Sequence, residues 1–540
     1  MHVPFNSRKQ RLISVVLILL LALVGGASAY SVSVSSDTAQ TLDGFGVSVA
    51  WSGGEILRLP ADERERALRM FFTDEGAGVS IIRMRMVAKT DPDFAYQVEM
   101  ALWAKAHGLG RFYATIWDVP SGFLDGNQKL LPERFDAFAG HIADYVRDMA
   151  AEGLPIGWIG VQNEPDNGPK LNGSWAVDYN KYTVHCYRSK AELRDFSVAL
   201  KKLLASRGMS GVRLLGPECM GWEGTRELTK AQFETGDGRS ALDVIGTHDY
   251  WGAERDTDMN PVRVEMAGQA RANGKRIWQT EYSRFDCLPG CSDACQQPHV
   301  SQDPAKLESD GAFNMQDGLE MAEYVYRDLS LANASAWLFW WTHNPNKGCG
   351  TAGQIGMHNS FNGLAVLRSD NTFFFPKRFH ALSHYMRFLK PGHVRLKLST
   401  DGESVVHPLA FRDSAGAKVT VVLYNRGNAA APVTLSLPGF ATLNSVQPYL
   451  TTEAADQNVQ AGTKAAFAAV PGFAMQLQPR AIVTLVFEKS ATTSTRRRPS
   501  PAPHDPGAQG PVVLVRKKGR SDSRTLEGRR MPSRSRPDRD

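Results

Sequence analysis

Three glutamates stand where a short apolar run ends. Glu164 closes Ile156-Gly-Trp-Ile-Gly-Val-Gln-Asn, Glu218 closes Val212-Arg-Leu-Leu-Gly-Pro, and Glu281 closes Arg276-Ile-Trp-Gln-Thr. A single carboxyl group at a strand end is most simply an ion-pair partner or a helix cap. Two that face one another can do more: one attacks a carbon centre while the other gives and then takes a proton. Carboxyl groups about 5–5.5 Å apart meet the requirement of a double displacement at a sugar's anomeric carbon. Glu164 and Glu281 are the pair singled out here. Glu218 is assigned a structural or supporting part.

Such a pair needs a frame that brings distant segments together. Short apolar runs recur along the chain: 44–49, 79–84, 111–117, 156–162, 212–217, 244–248, 276–280 and 335–341. Amphipathic stretches separate them, such as 134–152 with Phe138, Ile142, Tyr145 and Met149 at helical spacing. Eight strand–helix units imply a parallel sheet with right-handed crossovers, closed as a (β/α)8 TIM barrel. Functional groups in that fold lie at the C-terminal strand ends. Glu164 and Glu281 close the fourth and seventh strands, on opposite sides of the mouth. Trp117 and Trp341 end the third and eighth, where flat aromatic faces can stack on sugar rings. Strict alternation sends one of Trp340 and Trp341 into the barrel and the other outward, and Trp341 is taken as the substrate-facing ring. His248 and Tyr250 end the sixth strand, within reach of the nucleophile or of a sugar hydroxyl.

After Pro391 the pattern changes to period-two alternation, as in Val394, Leu396 and Leu398, with turns such as Asn425-Arg426-Gly427. This predicts an appended antiparallel β-sandwich. The expected division is a leader at 1–29, a catalytic barrel at 43–385, a sandwich built from 30–42 and 386–490, and a disordered basic tail at 491–540.

The flanking residues carry a resemblance. Val161-Gln-Asn-Glu-Pro-Asp166 resembles the acid/base motif of the clan of (β/α)8 retaining β-glycosidases, and Gln279-Thr-Glu-Tyr-Ser283 resembles its nucleophile motif. Within that clan the chain resembles glycoside hydrolase family 30. The matching residues are Asp43-Gly-Phe-Gly46 on the first strand, Gly246-Thr-His-Asp-Tyr250 on the sixth, and Phe379 to Gly392 at the join to the sandwich. The resemblance implies that Asn163 binds the sugar 2-hydroxyl and that Arg83 supports the nucleophile carboxylate. It implies a polysaccharide or glycolipid substrate, with endo action favoured, and neither metal nor organic cofactor. The chain departs from the family in one telling place. Members that cleave glucuronoxylan carry an Arg-rich loop after strand eight, whereas here Thr342 to Cys349 contains only Lys347 as a fixed cation. The alternative to an enzyme is a carbohydrate-binding or adhesion protein on the same barrel.

The net charge of +6 does not describe the body of the protein. The stretch from Ala491 onward holds 13 Lys/Arg against 5 Asp/Glu, and the first 29 residues hold three cations and no acid, so residues 30–490 are net −5. That weighs against a nucleic-acid partner for the protein. The tail reads first as a solvated segment, with contact to an anionic surface as its alternative. Arg8, Lys9 and Arg11, the apolar run 13–24 and Ala27-Ser-Ala29 have the order of a cleaved secretory signal, which predicts a secreted protein; a monomer is the separate expectation. Export makes disulfides plausible among the six cysteines. Cys287, Cys291 and Cys295 are expected to staple a loop, to Cys349 or to one another, rather than to bind metal.

Overall fold

A computed structural model describes residues 30–117, 119–166, 186–250, 256–283, 314–344, 363–368, 370–401 and 405–489. The leader, the cysteines at 287, 291, 295 and 349, Lys347 and the basic tail lie outside the described residues.

Eight parallel strands close a barrel in sequence order: β2 (Gly44–Ser48), β3 (Ile81–Arg85), β4 (Arg111–Thr115), β5 (Trp158–Gly160), β6 (Arg213–Cys219), β7 (Val244–His248), β8 (Arg276–Tyr282) and β9 (Ala336–Asn344). Closure is the parallel pairing of β9 with β2, Phe45 opposite Trp337. Both faces of such strands are covered, so they read as apolar runs rather than as alternations. Inward residues Ile81, Tyr113, Trp158, Leu215, Val244, Trp278, Ala336 and Leu338 pack into one interior cluster. Their outward neighbours, Ile82, Phe112, Ile159, Leu214, Ile245, Ile277 and Trp337, join the larger core beneath the helices.

The helices are α1 (Gly53–Leu57), α2 (Ala61–Phe72), α3 (Pro92–Ala106), α4 (Phe135–Ala151), α5 (Lys190–Ser206), α6 (Trp222–Phe233), α7 (Gly236–Ala241), α8 (Asp256–Ala272), α9 (Met315–Ser330) and α10 (Lys377–Met386). In α4 the expected stripe of Phe138, Ile142, Tyr145 and Met149 is buried. Helix starts are capped where the sequence permits: Asp91 accepts from the Asp93 amide before α3, and Ser189 from the Glu192 amide before α5.

β10 (Gly363–Leu367) and β11 (Phe373–Phe374) extend the barrel sheet beyond β9. The second sheet holds β1 (Tyr30–Thr41) and β12 to β20, from Val394–Thr400 to Ala481–Glu488. It curls around Val32, Val34, Leu396, Val421, Leu435, Leu485 and Phe487. The appended antiparallel sandwich is there, and among the described residues it holds one parallel pairing. β1 enters between β12 and β15 (Ala431–Ser436), antiparallel to the first and parallel to the second, with Tyr30 opposite Val433. A strand arriving from before the barrel is not bound by the hairpin connections that make its neighbours antiparallel. Barrel and sandwich are tied by polar contacts as well as apolar ones. His384 of α10 lies between the hydroxyls of Thr451 and Thr484, and burial pushes its pKa down to about 3, so the imidazole is neutral.

Candidate active site

The C-terminal mouth of the barrel gathers Arg83, Asn163, Glu164, Glu218, His248, Tyr250 and Glu281. Two of its carboxylate residues sit on unusual backbone. Glu164, four residues beyond β5, has φ +43°, and Glu218, within β6, has φ +55°. Left-handed backbone at a non-glycine residue costs on the order of 1–3 kcal/mol and persists only where its surroundings enforce it.

Arg83 is the hub. It is fully buried, and its guanidinium donates from Nη1 to Glu281 Oε2, from Nη2 to Asn163 Oδ1 at 2.7 Å and to Glu218 Oε1 at 3.3 Å, and from Nε to Thr115 Oγ1 at 3.2 Å. Burial works against its charge, but Glu281 first, then the electronegative neighbours Tyr113 and Glu218, outweigh that and keep it cationic. The guanidinium also fixes the amide of Asn163: with Oδ1 accepting from Arg83, the NH2 group is the end left to donate.

Glu281 is held from a second side. The Tyr250 hydroxyl donates to its Oε1 at 2.5 Å. His248 stands between the two carboxylates, with Nδ1 at 3.0 Å from Glu164 Oε1 and Nε2 at 3.8 Å from Glu281 Oε2. Burial pushes its pKa down to about 3, against the pull of Glu281, so the ring is neutral. Nε2 is buried with no hydrogen-bond partner among the described residues. One oxygen of Glu164, one ring nitrogen of His248 and one oxygen of Glu281 all lie within 4.8 Å of one another. In donor type these could hold a cation, but Arg83 already neutralises Glu281.

Glu218 lies beneath the pair, fully buried. Burial raises its pKa to about 7, in spite of Arg83 and the Tyr113 hydroxyl, which donates to Oε1. Its place is cut from the neighbouring strands: a Cβ at Gly160 of β5 would overlap Glu218 Oε2, and one at Gly246 of β7 would meet its Cγ at 2.9 Å. Asp166 is also buried and raised to about 7 by desolvation, and it accepts from the Met220 amide at 3.0 Å. Behind the sixth strand, Arg263 bridges Asp249 and Asp328 at 2.6 and 3.0 Å, anchoring the segment that carries His248 and Tyr250.

The aromatic wall differs from expectation. Trp340 and Trp341 do not point to opposite sides; their rings stack at 5.1 Å and 19°. A bulge causes this, since Val47 pairs with Phe339 but Ser48 pairs with Trp341, skipping Trp340. Trp340 keeps the inward phase of Ala336 and Leu338. It is the ring that meets Trp117 at 5.8 Å, Trp51 at 6.1 Å and Arg83 at 5.8 Å, and both Trp340 and Trp341 are buried. Trp117 is half-buried, with the Arg83 guanidinium 4.4 Å from its ring centre. Sequence reasoning missed Trp51, Trp340, Tyr113 and Thr115. The last two had a readable signal, because they share the inward phase of β4, two residues apart.

No protein-family model matches the chain. Glucuronoxylanase XynC of Bacillus subtilis is 22% identical over 452 residues, covering 82% of this chain and 87% of its own. Among solved structures, the catalytic domain of GH30 xylanase C from Talaromyces cellulolyticus superposes with a TM-score of 0.63 at 22% identity, covering 85% of this chain and 100% of that one. The endo-β1,6-glucanase BT3312 gives 0.61 at 17% identity, covering 86% and 96%. The solved structures share the barrel with its appended sandwich. Together with the relatives that match along four-fifths of the chain, they make it similar to proteins of glycoside hydrolase family 30 along most of its length.

Proposed function

We propose that the chain is a secreted, monomeric, retaining endo-β-glycanase, in which Glu281 is the nucleophile and Glu164 the acid/base. The observation that carries this reading is the pair of strand-end carboxyl groups, close enough for one oxygen of each to fall within 4.8 Å, with a neutral imidazole between them. Inverting enzymes hold their two groups about 6.5–9.5 Å apart, to leave room for a water. The division of roles rests on asymmetry. Glu281 faces the Arg83 cation and the Tyr250 hydroxyl, which fix a carboxylate in place for attack. Glu164 faces His248, whose neutral Nδ1 can accept from a carboxylic acid or donate to a carboxylate, so it follows Glu164 through both protonation states.

In the first step a Glu281 oxygen bonds to the anomeric carbon while the glycosidic C–O bond breaks and Glu164 gives its proton to the departing oxygen. In the second, Glu164 takes a proton from water as that oxygen bonds to the anomeric carbon, and Glu281 leaves as a carboxylate. The Asn163 amide, turned by Arg83, is placed to donate to the sugar 2-hydroxyl. Trp117, half-buried, supplies stacking surface, with Trp340 packed against it. Similarity to a glucuronoxylanase and an endo-β1,6-glucanase favours a β-linked polysaccharide cleaved internally. The scarcity of arginine after strand eight argues against glucuronate as the deciding side group. Secretion is supported by residues 1–29; among the described residues, no helix is long and apolar enough to cross a membrane.

The test is product analysis on xylan, β-1,6-glucan, β-1,6-galactan and glucosylceramide, with NMR of the anomer first released. Oligosaccharides released with retained β-configuration are expected from one polysaccharide. Inverted product, or no release from any substrate, would sink the reading.

A further inference from the structure

A cavity of about 670 Å3 opens at the other end of the barrel, where the N-terminal strand ends meet the sandwich. Its volume falls in the ~300–1,000 Å3 range of small-molecule sites. Its wall is cationic. Arg271, Lys275, Arg276, Arg395 and Lys397 line it, and among the described residues no carboxylate does. Arg276 is paired with Asp43. The other four have no ion-pair partner among the described residues.

Arg395 is the telling member. It is held by two neutral amides: Nε donates to Gln40 Oε1 at 2.7 Å, and Nη2 to Asn333 Oδ1 at 2.8 Å. Both holders are themselves fixed. Gln40 donates to the Leu329 and Ala334 carbonyls at 2.8 and 3.1 Å, and Asn333 has φ +51°. Nη1 is left without a protein partner among the described residues. Partial burial lowers the pKa of Arg395 and of Lys275, and among the described residues no carboxylate contacts Arg395 to offset this. A desolvated guanidinium without a counter-anion is costly. Cations at a helix C-terminus would account for Arg271 and Lys275 at the end of α8. They would not account for Arg395 and Lys397, which share one face of β12 at the i, i+2 spacing. The cleft wall is also shaped: β1 breaks register with β12 on both sides of Thr38.

We propose that this cleft is a second, non-catalytic binding site for an acidic saccharide, whose carboxylate or sulfate groups pair with Arg395, Lys397, Arg271 and Lys275. That the ligand is a saccharide rests on the glycanase reading; that it is an anion does not. The site would retain the enzyme on an acidic polysaccharide while the opposite face of the barrel cleaves.

Isothermal titration of the full-length chain at low salt tests this, with an α-1,4-galacturonate trimer, a sulfated tetrasaccharide, neutral xylotetraose and inorganic sulfate as probes. The α-linked trimer is not a substrate for a β-glycanase, so binding is read apart from hydrolysis. At least one acidic oligosaccharide should bind, and the tighter of the two assigns the anionic group. Arg395→Gln and, separately, Lys397→Gln should each weaken it roughly tenfold, with hydrolysis of neutral substrate unchanged. Lys397 is exposed, so its variant tests the site even if Arg395→Gln fails to fold. Equal affinity in wild type and Lys397→Gln, as binding through the basic tail would give, overturns the proposal. So does the absence of acidic binding, or inorganic sulfate binding as tightly as the oligosaccharides.

Discussion

The backbone N–H of Glu164 donates to the carbonyl of Glu218 at 3.0 Å. The bond joins the two carboxylate residues of the mouth that sit on left-handed backbone, at φ +43° and +55°. Each therefore helps to hold the other in a conformation that neither would adopt alone. Through Arg83, the side chain of Glu218 also reaches Glu281. A third glutamate thus supports both members of the proposed catalytic pair, by main chain to one and by side chain to the other.

Glu218→Gln should reveal the proton that this support requires. In the unfolded chain the carboxyl ionises near its ordinary value of 4.5; in the fold its pKa is raised to about 7. Between those values the native state keeps a proton that the unfolded state releases, so the group's contribution to stability falls as pH rises through the window. At ~1.4 kcal/mol per unit the change is on the order of 3 kcal/mol. His248 works in the opposite direction, since its folded value near 3 removes stability as pH drops below 6.5. Denaturation midpoints from pH 4.5 to 8 should show Glu218→Gln gaining on wild type up to about pH 7 and levelling beyond. A difference independent of pH would refute a protonated Glu218.

The frame and the pair were legible before the structure because they depend on local pattern. In runs such as 244–248 and 276–280 adjacent apolar residues, Val244 with Ile245 and Ile277 with Trp278, fall on opposite faces, as in a strand covered on both sides, and a carboxylate closing such a run has few places to be. The stacking of Trp340 on Trp341 was not legible, because one bulge at Trp340 breaks the alternation that would send the two rings to opposite sides. Nor was the parallel pairing of β1 with β15, because strand order in the second sheet is set by contacts some 400 residues apart. His248 was visible as a strand-end residue; its place between two carboxylates required the barrel's curvature.

Tyr250→Phe isolates the second contact to Glu281. The hydroxyl donates to a carboxylate oxygen, a bond whose loss costs about 1.5–3 kcal/mol when the acceptor is charged. Glu281 is neutral as a glycosyl ester and regains its charge as the ester breaks, so the bond chiefly assists release of the glycosyl-enzyme. The variant should lower kcat by roughly 10–100-fold, lower KM with it, and accumulate a covalent adduct detectable by intact mass. An equal fall in kcat and kcat/KM without adduct would assign Tyr250 to the first step instead.

Gly160→Ala tests whether the glycine exists to admit Glu218. The new methyl would overlap Glu218 Oε2 and meet Thr115 Oγ1 and the Tyr113 hydroxyl at 2.8 Å each. Overpacking of a well-filled interior costs about 1–3 kcal/mol. Denaturant unfolding should show that loss. The double variant Gly160→Ala with Glu218→Ala should recover part of it, because the smaller side chain vacates the overlapped volume. No recovery would mean that the cost arises from the strand rather than from the carboxylate.

The assignment of roles to Glu164 and Glu281 can be tested by what a small anion restores. Glu164→Ala removes the group that deprotonates water, a loss of about 10²–10⁴-fold where proton transfer limits the rate. Azide needs no deprotonation, so it should intercept the glycosyl-enzyme and yield a β-glycosyl azide, with retained configuration. Glu281→Ala instead removes the group that attacks the anomeric carbon and leaves a space where its carboxylate stood. Azide entering that space meets the carbon from the Glu281 side while Glu164 still protonates the leaving group, so the product should be the α-glycosyl azide. The two variants thus predict opposite anomers from one substrate, distinguishable by the anomeric proton coupling. If Glu164→Ala gave the α-azide and Glu281→Ala the β-azide, the roles would have to be exchanged, and the Arg83 and Tyr250 contacts to Glu281 would need another explanation.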